Sequence, residues 1–400
     1  MISVHEAKEI VSNSTPELAA VKTVLSEADG KVLAEDVLAL VDIPAFPQSS
    51  MDGYAFSFEG WKQHKKLKIV GEVAAGANKK ISLTAGDAVR IFTGGAVPMG
   101  ADTVVMQEKA KAHNEELIIE DETLQVGTSV RPKGSEIKAG TLALEKESTL
   151  SPAAIGFLAG IGIAEVKVYP NPSISIIITG NELQQPGKRL EQGQVYESNS
   201  FMLKAVLKQL QIEQVQVSYA VDNPKIVTSS LQKALRENDV VLLTGGISVG
   251  DYDFVLQATK ECEVEKLFHR VKQRPGKPLY FGMKAVQDDT VTKLVFALPG
   301  NPSSVLTCFY QYVALALEKL SRRKKILRSF RAPLSRPFQK TAGLTHFLKG
   351  VYDGMTATPL DAQESYRLRS FAIANCLIQV DEDITSLKEG EMVDVYLLPR

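Results

Sequence analysis

The chain predicts a multidomain α/β plus β protein, on three observations. Between residues 171 and 320, apolar runs of strand length alternate with amphipathic stretches of helix length, the signature of a doubly wound α/β domain. From 45 to 140, short strand-like runs are punctuated by glycine, which reads as a β-rich domain. From 325 to 400 the pattern is again short strands separated by turns, a small β domain.

In chain order, residues 2–12 read as an amphipathic helix with Val4, Ala7, Ile10 and Val11 on one side. The run Val32–Val41 then leads to Pro44, which stops regular structure. Strands are expected at Leu67–Val70, Asp87–Ile91, Thr103–Gln107 and Glu116–Glu120. A helix is expected at Ser151–Leu158, with Ser151 as its cap and Pro152 as its first residue. In the α/β region, Ser173–Thr179 has the β-branched run of a buried parallel strand. A helix follows at Ser198–Gln211, a strand at Gln214–Val221, and a helix capped by Asn223 with Pro224 first. Strand Val240–Leu243, helix Phe254–Lys260, strand Val264–Phe268 and a long helix Ser304–Leu320 complete the unit. The tail strands are Phe347–Val351, Leu377–Val380 and Met392–Leu397.

Composition excludes several classes. The 400 residues are 44% hydrophobic and 23% charged, with a net charge of −1, so no bulk basic charge recruits nucleic acid or membrane. Basic residues cluster only at Lys62–Lys68 and Arg322–Arg328, read as solvated faces or a linker. Cys262, Cys308 and Cys376 have no metal or redox spacing and suit a reducing compartment. The least polar stretch, Ala153–Ala164, is too short to span a bilayer, and residues 1–11 lack a signal-peptide core. A cytoplasmic location is expected.

The chemistry concentrates at the ends of the α/β strands. After Val240–Leu243 comes Thr244-Gly245-Gly246, then Ser248, Gly250, Asp251 and Asp253 before a helix. Glycines there let backbone N–H groups approach an anion, and the carboxylates are hard ligands suited to Mg²⁺. A purely structural αβ turn is the other reading of this segment alone. Arg274 and Lys277 flank Pro275-Gly276 on a stiff loop, a candidate oxyanion site. Asp222 either ligates metal or helps to cap its helix. Ser304 either binds the anion or caps the last helix. Asp52, in Met51-Asp52-Gly53-Tyr54, is an unusual residue for pure packing. Thr93-Gly94-Gly95 and Asp102 read as turn chemistry. No catalytic triad, Walker motif or histidine metal spacing is present.

The motifs MDGYA, TGGAVPMGAD, TGNEL, GGISVGDYD, PGKP, LPGNP and SYRLRS occur in order along essentially the whole chain. Together they resemble the MoeA family of molybdenum insertases, to which the E domains of gephyrin and its plant counterpart are similar. The resemblance implies an extended linking domain (1–44 and 141–170), an inserted β-rich domain (45–140), an α/β molybdopterin-binding domain (171–320) and a C-terminal β-barrel (325–400). It implies that adenylated molybdopterin and molybdate are substrates, that AMP is released with Mg²⁺, and that the protein is a homodimer with possible transient contacts to other cofactor-biosynthesis proteins. By motif position it gives catalytic roles to Asp52, Asp253 and Glu182, with Asp52 supplied by the partner subunit. Gly245, Gly246, Ser248, Asp222, Arg274, Lys277, Ser304 and Arg367 become binding residues, and Asp251, Asp253 and Asp222 metal ligands. The chain departs from common family choices at Arg274 (Lys), Asn223 and Asn181 (Asp), and Glu136 (Asp). Two other functions stay open: a molybdopterin adenylyltransferase, whose fold the α/β region resembles, and a non-enzymatic scaffold.

Overall fold

The computed structural model describes residues 1–76, 81–246, 254–286 and 291–399. The chain forms two compact units: Met1–Val21, Gly30–Val32 and Val168–Arg400 in one, Lys22–Asp29 and Leu33–Lys167 in the other.

The first unit is built on a six-stranded sheet in the order Val215–Ala220, Ile174–Thr179, Val240–Thr244, Val291–Leu298, Tyr280–Val286, Glu265–His269. The first four strands are parallel, as their continuous apolar runs predict. The last two run antiparallel. Only four residues separate Tyr280–Val286 from Val291–Leu298, too few for the crossover that a parallel pair requires. The doubly wound pattern therefore ends in an antiparallel edge.

Every residue of Ile174–Thr179 is buried, and alternate side chains serve opposite faces. Ile174, Ile176 and Ile178 pack with Leu203, Val206 and Leu207 of helix Asn199–Gln209 and with Val305, Phe309 and Leu317. Ile177 packs with Val227, Leu231 and Leu235 of helix Pro224–Glu237 and with Val255 and Ala258 of helix Phe254–Glu261. The start of helix Pro224–Glu237 is as the sequence predicts: Asn223 Oδ1 accepts from Lys225 N at 3.0 Å and Ile226 N at 3.4 Å.

The expected helix Ser304–Leu320 differs in two respects. It begins at Pro302, with Asn301 at the cap position, so Ser304 lies inside the first turn and does not cap it. It is also interrupted by a π-helical turn at Phe309–Val313 before Ala314–Leu320. The N-terminal helix is Val4–Ser14, capped by Ser3 Oγ, which accepts from Glu6 N at 3.1 Å. Val32–Val41 resolves into two short strands, Val32–Leu33 and Val37–Leu38.

The tail sheet runs Gln273–Arg274, Thr345–Tyr352, Cys376–Val380, Met392–Leu397, Arg328–Pro333. Its core includes Leu334, Leu348, Ile378, Val380, Val393 and Val395. Its first strand comes from the α/β region and pairs parallel to Thr345 and His346, which anchors the Pro-Gly-Lys-Pro loop on the tail.

The second unit carries a six-stranded sheet in the order Thr103–Met106, Gly53–Phe56, Asp87–Ile91, Lys66–Val73, Glu116–Ile119, Ala110–His113. Helix Phe58–His64 in this unit is not evident from the sequence pattern. It has only seven residues, held by a Ser57 cap at 3.2 Å and by Phe58 and Phe56 against Trp61. Helix Pro152–Gly160 has the predicted Ser151 cap.

One lysine joins the N-terminal helix to the tail sheet. Lys8 Nζ donates to Tyr396 Oη at 3.3 Å and lies 4.6 Å from the Tyr396 ring centroid and 5.6 Å from that of Phe347. Burial lowers its pKa to about 8 against the opposing pull of Asp394 and Asp381. The unfolded chain thus binds this proton more tightly than the folded one, so stability rises as pH climbs through about 8 toward the free-lysine value. Thermal melts from pH 7 to 9.5 should show a gain of about 2 kcal/mol that Lys8→Met lacks. Parallel pH profiles for the two proteins would contradict this.

Candidate functional site

The carboxyl ends of the parallel strands converge. Thr179 ends its strand, and its hydroxyl donates to Thr244 O at 3.3 Å. Gly245 and Gly246 follow with φ of +84° and +65°, which L side chains rarely adopt. A Cβ on Gly245 would lie 2.4 Å from Thr179 O, and one on Gly246 2.9 Å from Thr179 Oγ1. Glycine is therefore required here by both backbone angle and space. The Leu298–Ser304 turn lies beside it: a Cβ on Gly300 would be 3.8 Å from Gly245 Cα, and Gly300 O accepts from Asn199 Nδ2 at 2.9 Å.

Two acids lie just past the neighbouring strand ends. Asn181 N donates to Asp222 Oδ2 at 3.3 Å, and Asp222 N to Asn181 Oδ1 at 3.1 Å. Asp222 therefore ties two strand ends together, whereas the cap of the following helix is Asn223. Glu182 folds back over Gly180, where a Cβ would meet its Oε2 at 2.8 Å. Ser248, Asp251 and Asp253 lie outside the described residues. Among the described residues, no group of three or more His, Cys, Asp or Glu is placed to hold a metal.

The Pro-Gly-Lys-Pro loop sits on the first turn of the Pro302 helix. Arg274 and Lys277 are exposed, while Gln273, Pro275 and Gly276 between them and the core are buried. Gly276 has φ of +93°, and a Cβ there would lie 2.5 Å from Cys308 Sγ and 3.7 Å from Ser304 O. Ser304 is 3% exposed. The tail reaches the same turn: Asn301 Nδ2 donates to Ser365 Oγ at 3.0 Å and Ser303 N to Ser365 O at 3.2 Å. Arg367 pairs with Glu364 at 3.1 Å and stacks on Tyr366, so its guanidinium is engaged within its own loop. Beside Arg274 a cleft of about 340 Å³ is lined by Pro275, Lys340, His346, Phe347 and Gln363, among others. Burial, with Lys340 and Arg274 nearby, lowers the His346 pKa to about 4, so that ring is neutral at pH 7.

Asp52 lies in the second unit. Its Oδ1 accepts from Thr93 N at 2.7 Å and from Thr93 Oγ1 at 2.8 Å, which hold its pKa below the usual carboxylate value, aided by Arg90. Thr93, read as turn chemistry, is thus the residue that orients Asp52. Asp102 is structural, as read: it accepts from Phe58 N at 2.9 Å. Gly53 is required by packing, since a Cβ would fall 1.8 Å from Val105 O.

Three family models match in sequence order: "MoeA N-terminal region (domain I and II)" at residues 2–162, "Probable molybdopterin binding domain" at 175–319, and "MoeA C-terminal region (domain IV)" at 331–398. A protein of Haemophilus influenzae named molybdopterin molybdenumtransferase is 31% identical over 378 residues, 93% of this chain and 92% of that protein. One of the same name from Nostoc sp. is 34% identical over 417 residues, covering 100% and 94%. The chain belongs to the MoeA family. Its fold agrees: the crystal structure of the molybdopterin biosynthesis MoeA protein from Pyrococcus horikoshii superimposes with a TM-score of 0.80 at 30% identity, over 99% of both chains.

Two residues of this MoeA-family site escape motif reading. Lys349 is 1% exposed, and its Nζ donates to the carbonyls of Ala362 at 2.8 Å, Arg367 at 3.0 Å and Glu364 at 3.3 Å. It fixes the segment that carries Ser365. The one signal for it is a lone charge in the apolar run Phe347-Leu348-Lys349-Gly350. Gln273, buried under the Pro-Gly-Lys-Pro loop, is the other.

Proposed function

We propose that this chain carries out the molybdenum-insertion step of molybdenum cofactor biosynthesis, taking adenylated molybdopterin and molybdate and releasing AMP. One observation carries the reading: a glycine turn suited to phosphate and a fixed loop bearing two exposed cations both pack on the segment that opens the Pro302 helix, Gly300 just before it against Gly245 and Ser304 in its first turn against Gly276. The Gly245-Gly246 turn supplies backbone donors to the phosphoanhydride. Arg274, Lys277 and Ser304 hold the molybdate. Asp222, with Asp251 and Asp253, would offer the carboxylate oxygens that Mg²⁺ takes, and Glu182 is proposed as a catalytic acid beside them. Bound there, Mg²⁺ would supply charge neutralisation on the phosphates. Arg367 is proposed to contribute after leaving Glu364.

The four-domain division stated above is likewise proposed, as are a homodimer in which Asp52 comes from a second copy and a cytoplasmic location. No helix among the described residues is long and apolar enough to cross a membrane. Matches to the MoeA N- and C-terminal regions favour insertion over adenylylation, because the α/β region alone would suffice for an adenylyltransferase.

Lys277→Ala tests the assignment of the oxyanion. Loss of one charge-assisted contact is expected to raise half-saturating molybdate about tenfold or more, with little change for the pterin. Equal weakening toward both substrates would reduce the loop to a general electrostatic role.

A further inference from the structure

Beneath the oxyanion loop lies a buried polar network that no motif announces. Gln273, Cys308 and Tyr312 are each 0% exposed. Gln273 Nε2 donates to Pro275 O at 3.0 Å, to Gly276 O at 3.3 Å and to Cys308 Sγ at 3.4 Å. Its Oε1 accepts the Tyr312 hydroxyl, and Cys308 Sγ donates to Gly276 O at 3.7 Å. The amide thus spans the gap between the π-helical turn Phe309–Val313 and the loop. With the Pro275 and Gly276 carbonyls drawn inward, Arg274 and Lys277 on either side are left exposed.

We propose that Gln273 is a positioning residue, which with Tyr312 sets the spacing of Arg274 and Lys277 for a tetrahedral oxyanion. Naming molybdate as that anion rests on the function proposed above. An apolar residue of similar volume would fill the same space, so packing alone does not call for glutamine. What it adds is donors for the two loop carbonyls, Pro275 O and Gly276 O, that point toward it.

The test compares wild type with Gln273→Met, Tyr312→Phe, the double variant and Gln311→Met. Gln311, the residue before Tyr312, is also buried, and its amide has no partner among the described residues, so it serves as a control. Two readouts are taken: molybdate affinity by calorimetry without pterin, and half-saturation for molybdate and for adenylated molybdopterin in AMP release. Gln273→Met is expected to weaken molybdate about tenfold and to lower the melting temperature, since buried polar groups lose their partner, while leaving pterin half-saturation near wild type. Tyr312→Phe should weaken it less, and the double variant no more than Gln273→Met, because the two side chains act as one unit. Gln311→Met should leave molybdate affinity unchanged. Equal losses for both substrates, or the same loss in Gln311→Met, would overturn the proposal. So would additive effects in the double variant. If wild type binds molybdate but releases no AMP, the insertion reading fails while the affinity ratios still judge Gln273. If wild type binds no molybdate, the positioning role falls.

Discussion

Gly245→Ala is expected to destabilise the first unit severely, by about 2–5 kcal/mol. Two costs add. A non-glycine residue in the left-handed region costs about 1–2 kcal/mol, and φ here is +84°. The new methyl also lies 2.4 Å from Thr179 O and 2.9 Å from Thr179 Oγ1. That oxygen is backbone at the end of a fully buried central strand, so it cannot yield cheaply, and overpacking of this kind costs about 1–3 kcal/mol. Gly193 separates the two terms: its φ is +87°, yet nothing lies within 4 Å of its Cβ position. Gly193→Ala should lose only the backbone term, about 1–2 kcal/mol. Urea midpoints for the two variants decide the matter, and equal midpoints would show that no close approach exists at Gly245.

Lys349→Met should cost about 3 kcal/mol or more and disorganise the segment from Ala362 to Ser370. Burial lowers the Lys349 pKa, so desolvation opposes the charge. Against that stand its charge-assisted hydrogen bonds to the carbonyls of Ala362, Glu364 and Arg367, of which Glu364 O keeps the Arg367 N–H as a second donor. Hydrogen bonds to a charged group contribute about 1.5–3 kcal/mol each, so the loss of three outweighs relief of the buried charge. The Ser370 hydroxyl, which also donates to Ala362 O and Arg367 O, retains part of the loop. The measurement is a thermal melt together with proteolysis at Tyr366 and Arg367. An unshifted melt and no new cleavage would contradict the role given to Lys349.

What the sequence shows and what it hides follow from distance along the chain. The strands Ile174–Thr179 and Val240–Thr244 were legible because uninterrupted apolar runs mean burial on both faces. Asn223-Pro224 and Ser151-Pro152 were legible because a cap and its proline are adjacent residues. Lys349 finds its carbonyls 13 to 18 residues away, and Gln273 meets Tyr312 across 39, so no local pattern names the partners of either. The π-helical turn leaves the apolar composition of its helix unchanged and is silent in sequence. The antiparallel edge depended on loop length, which strand composition does not reveal. Thr93 was visible only as part of a glycine turn, because its partner Asp52 lies 41 residues earlier.

In the function proposed here the strand-end turn and the cationic loop form one site for a phosphoanhydride and an oxyanion. The most direct test is AMP release by the purified protein from adenylated molybdopterin, followed while molybdate is varied at fixed Mg²⁺. Release that requires molybdate and saturates with it is the predicted result. Release that ignores molybdate, or none at any molybdate concentration while ATP drives adenylylation of the pterin, would contradict the claim.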